Sequence, residues 1–280
     1  MSNIIDGKAI AGKIREQMKQ QVAQMKQQGI VPGLAVVLVG EDPASATYVR
    51  MKERACGDVG LFSVVHRLSD KTTQSQLLTL VDELNNDDQI HGILVQLPLP
   101  DHIDEMAVLR DINPDKDVDG FHVINAGKLF VGEEGFVACT PKGIIKLIKS
   151  TGINIEGKNA VVVGRSNIVG KPVSMLLMAE NATVTMCHSR TKDLAKVCAG
   201  ADILVAAIGR PEMVTGEFVK EGAVVIDVGT SRVDGKLKGD VMFEQAVKKA
   251  GYITPVPGGV GPMTITMLLE NTIESAKNHG

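Results

Sequence analysis

The chain of 280 residues is long enough for two domains of ordinary size or for one large one, each with a sizeable core. With 44% apolar residues, 22% charged residues and a formal net charge of −3, it lacks both the basic excess of a nucleic-acid binder and the apolar excess of a membrane protein. Its four cysteines, Cys56, Cys139, Cys187 and Cys198, form no CxxC pair, which argues against a disulfide framework or structural zinc and fits reduced thiols in a cytoplasmic protein.

The opening stretch, MSNIIDGKAIAGKIREQMKQ, carries an acid and several bases inside its first apolar segment, unlike a signal peptide, and no run of about 18 apolar residues follows anywhere. Short apolar runs then alternate with helical patterns. The runs are LAVVLV (34–39), LFSVVHRL (61–68), HGILVQL (91–97), NAVVVG (159–164), ATVTMC (182–187), ADILVAAIG (201–209) and GAVVIDVG (222–229). Continuous apolar strands of this kind are expected to be buried on both faces, so the chain reads as α/β with parallel sheets covered by helices.

The first helical stretch of note is ASATYVRMKERA (44–55), with Tyr48 and Lys52 four positions apart on one face. The spacing alone is compatible with two solvated neighbours or with a chemical pair. A YxxxK pair serves short-chain dehydrogenases, but there it follows the cofactor turn, whereas here it lies far upstream of the first glycine turn of that kind, at Gly164. The strand at 91–97 ends with Gln96 and then prolines, which sets Gln96 at a carboxyl edge, where α/β proteins hold ligands. DHIDE (101–105) reads as a helix start with acids near its positive end.

DKDVDG (115–120) opens like a calcium loop, yet the twelfth position is Ala126 instead of glutamate, so calcium is rejected; the histidines show no HxxxH or HxH spacing, and no metal is expected. Asp119 in this turn is either a ligand-binding carboxylate or a turn cap. The stretch from Phe121 to Cys139 reads as a loop, and Thr140-Pro141 opens a connector helix over 140–151, with Thr140 as its cap. These features put a domain boundary near residue 120, giving domains of 1–120 and 121–261. A last helix over 262–280 is expected to return to the first domain.

Strand, glycine turn, helix and strand follow one another in NAVVVGRSNIVGKPVSMLLMAENATVTMCHSRT, the context of a dinucleotide fingerprint. Gly164 makes the tight turn and Gly170 allows close helix approach, though Ser166 stands where a middle glycine is usual. The next strand ends in Ser189 and Arg190 with no acid for a ribose hydroxyl. Together with Arg165 they favour a 2′-phosphate, hence NADP over NAD. The loop PVPGGVGPMT (255–264) is stiffened by prolines and exposes bare backbone at its glycines, which suits a flat ligand.

Six segments, SATYVRMKERA, GILVQLPLP, PDKDVDGFH, TPKGIIKLI, GRSNIVGKPVSMLL and PVPGGVGPMT, together resemble the bifunctional methylenetetrahydrofolate dehydrogenase/cyclohydrolase family, in that family's order and over essentially the whole chain. The resemblance implies an N-terminal α/β folate-side domain and a C-terminal Rossmann-like NADP domain across a cleft, in a cytoplasmic homodimer of one-carbon metabolism and purine biosynthesis. It implies oxidation of 5,10-methylenetetrahydrofolate with NADP, and hydrolysis of the methenyl product to 10-formyltetrahydrofolate. Neither a nucleic acid nor a membrane is implied as partner. Carried over by motif, Lys52 is the catalytic lysine, Tyr48 packs on the folate rings, Gln96 supports Lys52, and Asp119 binds the pterin. Leu97, Pro98, Pro257, Gly258, Gly259 and Pro262 line the folate, while Gly164, Arg165, Ser166, Ile168, Ser189, Arg190 and Thr230 meet the cofactor. Thr230 departs from the isoleucine common there. A binding protein that has lost catalysis is the rival reading, and the presence of Lys52 and Gln96 argues against it.

Overall fold

The structure, a computed structural model, describes residues 3–279. In chain order its first elements are β1 (Asn3–Ile4), α1 (Gly7–Gln27), β2 (Gly33–Val39), α2 (Pro43–Val59), β3 (Phe62–Leu68), α3 (Gln74–Asn85), β4 (Gly92–Val95), α4 (Glu105–Asp111), α5 (Val123–Val131) and α6 (Cys139–Ser150). There follow β5 (Asn159–Val163), α7 (Gly170–Ala179), β6 (Thr183–Cys187), α8 (Leu194–Cys198), β7 (Ile203–Ala206), β8 (Val224–Asp227), β9 (Ser231–Val233), β10 (Lys236–Lys238), α9 (Phe243–Ala246), β11 (Tyr252–Ile253) and α10 (Val260–His279). The chain divides into two compact units, one of Lys13–Cys139 with Ile265–Gly280, the other of Met1–Gly12 with Thr140–Thr264.

The first unit holds a three-stranded parallel sheet in the order β3-β2-β4. All seven residues of the central β2 are buried. Ala35, Val37, Val39, Ile93 and Val95 meet Leu77, Val81 and Leu84 of α3 and Val108 and Leu109 of α4 in one core. Each of the valine, leucine and isoleucine side chains, fully buried, contributes about 1.5–3 kcal/mol. β3 departs from the expectation of strands covered on both faces. It lies at one sheet edge, and its residues are half-buried or exposed, whereas β4 at the other edge is buried throughout.

Residues 121–139, expected as a loop of the second domain, belong to this first unit and contain α5. Two features hid the helix. Its cap is His122, whose Nδ1 accepts from the Ile124 N–H at 3.1 Å in place of a Ser, Thr, Asp or Asn oxygen. Its apolar Val123, Ile124, Phe130 and Val131 are exposed, so no core-facing period marks it. The two compact units meet at residues 139 and 140. At that point α6 starts at Cys139, and the Thr140 hydroxyl pairs with that of Thr264 at 2.8 Å instead of capping the helix.

The second unit is built on a six-stranded parallel sheet in the order β1-β11-β8-β7-β5-β6. Counting from β5, the strand order is 2-1-3-4-5, the flavodoxin-like form of a doubly wound sheet, with β1 added at the far edge. The chain reverses direction across the sheet between β5 and β7, which is where such folds bind ligands beyond the strands' carboxyl ends. β1 and β11 have two residues each, too few to show a period. The β9–β10 hairpin turns at Asp234 and Gly235, both with positive φ, an Asp-Gly signal present in the sequence but outside the expected elements.

Candidate functional site

Helix α2 sets the position of Lys52. Asp42 caps it through the Ser45 N–H at 2.7 Å, Pro43 occupies the first turn, and Gly60 ends it in the left-handed region. Its buried residues, Ser45, Val49, Lys52, Ala55, Cys56 and Val59, recur every three or four positions and form the stripe that faces the core. Lys52 thus occupies a place where an apolar side chain is the rule, and only 8% of it is exposed. Tyr48, one turn earlier at the margin of that stripe, is exposed.

The Lys52 Nζ donates to Oε1 of Gln96 at 3.0 Å, and Gln96 Nε2 donates to the Leu97 carbonyl at 2.7 Å. The second bond fixes the amide so that its oxygen, not its nitrogen, meets the lysine. Gln96 follows β4 directly, at the carboxyl end of the sheet, with its N–H on the Val37 carbonyl at 2.8 Å. The Leu97–Pro98 peptide bond is cis.

Burial pulls the Lys52 ammonium below its ordinary value, against the opposing pull of Asp119, Cys139 and Cys56. Burial in turn raises the carboxyl of Asp119, while Lys52 and the Cys139 thiol counteract it. Lys52, Gln96 and Asp119 are therefore one electrostatic group within the first unit. An uncharged amide contacts the amine directly, and the Asp119 carboxylate acts on it through charge.

Asp119 is held by neighbours that sequence reasoning passed over. Asp117 is buried and accepts from the N–H groups of Phe121 at 3.1 Å and His122 at 2.8 Å and from Asn125 Nδ2 at 2.9 Å. Those donors occupy the carboxylate and tie it into the turn. Burial pushes Asp117 up to about 6. Asn271 of α10, fully buried, donates to the Val118 carbonyl at 2.8 Å and to that of Val137 at 3.1 Å, clamping the turn from its other side. Gly120 is obligatory in this turn, since its φ is +74 and a Cβ would strike the backbone of Val137 and Ala138. The signals in the sequence were the alternating acids and that glycine.

In the second unit the strand ends are level: Val163 pairs with Cys187 and with Ala206, and Ala206 with Asp227. Gly164, Ser189 and Thr230 thus emerge at the same end of neighbouring strands. Gly164 has φ +132, and an added Cβ would run into the Ala207 carbonyl. Gly170 lies under the Gly164 carbonyl and the Arg165 amide, so both glycines are required by backbone closeness. The Ser166 hydroxyl accepts from the N–H groups of Val169 at 3.2 Å and Gly170 at 3.3 Å. It serves the start of α7 and keeps its own O–H to donate to a ligand oxygen. Arg165, Ser166, Ile168, Ser189, Arg190 and Thr230 are all exposed. His188 fixes the loop after β6 by accepting from the Arg190 N–H at 3.2 Å and by its own N–H to Thr191 Oγ1 at 2.9 Å. The residues fit a phosphorylated dinucleotide: a helix N-terminus, a cradle that a side chain would fill, and two arginines with no acid at the end of β6.

The proline-glycine loop lies in this second unit. The Val256–Pro257 bond is cis, Pro257 is exposed, and Gly258 has φ +107. The Lys8 N–H donates to the Gly258 carbonyl at 2.9 Å, and a Cβ on Gly7 would overlap the Gly259 carbonyl. Gly259 and Pro262 are covered or half-covered. The loop is therefore backed by the start of α1.

Residues 5–119 match the family model for the tetrahydrofolate dehydrogenase/cyclohydrolase catalytic domain, and residues 138–280 that for its NAD(P)-binding domain. A bifunctional protein FolD of Halothermothrix orenii is 64% identical, with 100% of both chains covered. Among solved structures, the FolD methylenetetrahydrofolate dehydrogenase/cyclohydrolase of Campylobacter jejuni has a TM-score of 0.98 and 52% identity, covering 99% of each chain. That of Trypanosoma brucei, solved with NADP cofactor and inhibitor, has a TM-score of 0.95 and 43% identity, covering 99% of this chain and 98% of the other.

Proposed function

Because the chain belongs to the tetrahydrofolate dehydrogenase/cyclohydrolase family, we propose that it oxidises 5,10-methylenetetrahydrofolate to the methenyl cation with NADP and hydrolyses that cation to 10-formyltetrahydrofolate. The observation that carries this reading is Lys52, a lysine on a core-facing stripe whose amine contacts an uncharged amide. NADP, when bound, supplies the acceptor for the hydride that leaves the methylene carbon.

Loss of hydride is driven by the lone pair of the adjacent nitrogen, so the protein's task in that step is orientation. Tyr48 offers a ring platform for the folate. Asp119 accepts two hydrogen bonds from the amino and ring N–H donors along one pterin edge. Leu97, Pro98, Pro257, Gly258, Gly259 and Pro262 supply the remaining folate contacts. Gly164, Arg165, Ser166 and Ile168 receive the pyrophosphate side of the cofactor, Ser189 and Arg190 its 2′-phosphate, and Thr230 its nicotinamide side.

Hydration uses Lys52 as a base. Water adds to the methenyl carbon and gives one proton to the neutral amine. The hydroxyl proton of the adduct then moves to the nitrogen whose bond to carbon breaks, leaving the formyl group on the other nitrogen. Depression of the lysine by burial favours the neutral amine, and a cationic substrate depresses it further. Gln96 holds the amine without restoring its charge, as a carboxylate in that place would.

The same reading includes a cytoplasmic homodimer in one-carbon metabolism. The uncovered edge strand β3, with Phe62 exposed and His66 Nε2 lacking a partner among the described residues, supports a second copy at that edge. Titration of purified protein with NADP and with NAD in the presence of methylenetetrahydrofolate tests the function. The expected result is oxidation with preference for NADP, followed by hydration. Absence of both oxidation and hydration overturns the enzyme reading.

A further inference from the structure

The second unit contains a pair of buried carboxylates for which the chemistry above has no use. Asp240, with 0% exposure, lies just past β10, and Asp227, with 4% exposure, ends β8. Asp240 Oδ2 accepts from the N–H groups of Ile208 at 2.6 Å and Gly209 at 3.0 Å, two successive amides of the turn that follows β7. Asp227 accepts from the N–H groups of Gly229 at 3.0 Å, Asp240 at 2.8 Å and Val241 at 3.0 Å. Its own N–H donates to Thr254 Oγ1 at 2.8 Å.

Two glycines show how closely the parts fit. A Cβ on Gly229 would overlap Asp240, and one on Gly239 would overlap the Asp227 carboxylate. Asp227 thus holds Asp240 and the 228–230 turn in one grip, and Asp240 reaches from there to the turn at 208–209. That turn begins at Ala207, whose carbonyl abuts Gly164 and whose N–H donates to Val163 at 2.8 Å. The Ala207–Gly209 turn is therefore one wall of the crevice at the reversal between β5 and β7, opposite the glycine turn.

We propose that Asp240 is a positioning residue for the dinucleotide: it fixes the Ala207–Gly209 wall of the cofactor crevice by receiving two adjacent backbone N–H groups, and Asp227 fixes Asp240. The proposal rests on the reading of this crevice as the NADP site. A buried carboxylate is suited to the task because it satisfies two parallel donors with one oxygen, in a place that water does not reach. Asp240 Oδ1 has no partner among the described residues, so only one of its oxygens carries the role.

The test compares Asp240→Ala and Asp240→Asn by equilibrium titration with NADP and by the rate of methenyl hydration, which consumes no dinucleotide. Asp240→Asn keeps an acceptor oxygen for the two amides and retains NADP affinity. Asp240→Ala strands both donors and weakens NADP binding by about tenfold or more, while hydration changes less than about twofold. A defect confined to folding lowers both readouts together and overturns the proposal, as does an alanine variant that binds NADP like the parent. If the alanine variant does not fold, Asp240→Ser, whose shorter hydroxyl cannot reach both amides, carries the same expectation against Asp240→Asn. A parent protein that binds no NADP overturns the cofactor reading and this proposal with it. A parent that binds while the variants are unaffected overturns this proposal alone.

Discussion

Replacing Lys52 by methionine keeps the length and apolar stem of the side chain and removes only the amine. In the fold this exchanges a buried ammonium, already pulled below its ordinary value by desolvation, for an apolar group on an apolar stripe. It also costs the single bond to Gln96 at 3.0 Å. These effects oppose each other, so stability changes by no more than about 1 kcal/mol. Hydration loses its general base, a factor of about 10²–10⁴ or about 3–5 kcal/mol in the barrier. Binding of NADP, which uses other residues, is unchanged. The assay follows disappearance of the methenyl chromophore at several pH values, with melting temperature as the control on folding. The parent rate rises with pH to a plateau governed by a pKa below 10.5, because the reactive form is the neutral amine. Gln96→Glu sets a carboxylate against the amine, raises that pKa and moves the plateau to higher pH. A loss of less than about tenfold in Lys52→Met, or a pH profile unmoved by Gln96→Glu, refutes the base assignment.

Arg190→Ala is expected to weaken NADP more than NAD in parallel titrations, because only NADP carries the 2′-phosphate; equal weakening removes Arg190 from that contact. Gly164→Ala forces a Cβ into the Ala207 carbonyl at φ +132. It is expected to cost about 1–3 kcal/mol on chemical denaturation together with NADP binding, and an unchanged denaturation midpoint contradicts the close approach. Asp117 has a folded value raised to about 6 from 3.8, so its ionised form is the disfavoured one. Its cost to stability is absent in acid, grows as pH rises from about 4 to about 6 and reaches roughly 3 kcal/mol as an upper bound. Asp117→Asn escapes that cost, so its melting temperature should gain on the parent across this window; a pH-independent difference between the two proteins would falsify the shift.

Much of the scaffold was legible because its physics is local. The apolar runs at 34–39, 159–164 and 201–209 read as strands because a short continuous β-branched segment is buried that way, and the structure has strands within them at β2 (from Gly33), β5 (Asn159–Val163) and β7 (Ile203–Ala206). Gly164 and Gly170 were legible because glycine turns of this kind tolerate nothing larger. The helix at 123–131 was not, because its cap is a histidine and its apolar side chains face outward. The run of the first unit on to Cys139 was hidden for a related reason: Asn271, 153 positions from Val118 and 134 from Val137, holds this segment by bonds that no local pattern records.

The sequence by itself determined that Tyr48 and Lys52 share a helix face, that Gln96 ends a strand, that Asp119 lies in a glycine turn, and that a glycine-marked turn precedes a helix at 164–170. These follow from periodicity and from turn chemistry. Only the tertiary structure decided that the face bearing Lys52 is the buried one, that its amine meets an uncharged oxygen, and that Asp227 and Asp240 tie the turns after β8 and β7 together. The physical reason is that burial, and the electrostatics that follow from it, belong to contacts between residues 44 positions apart at Lys52 and Gln96 and 32 apart at Ile208 and Asp240.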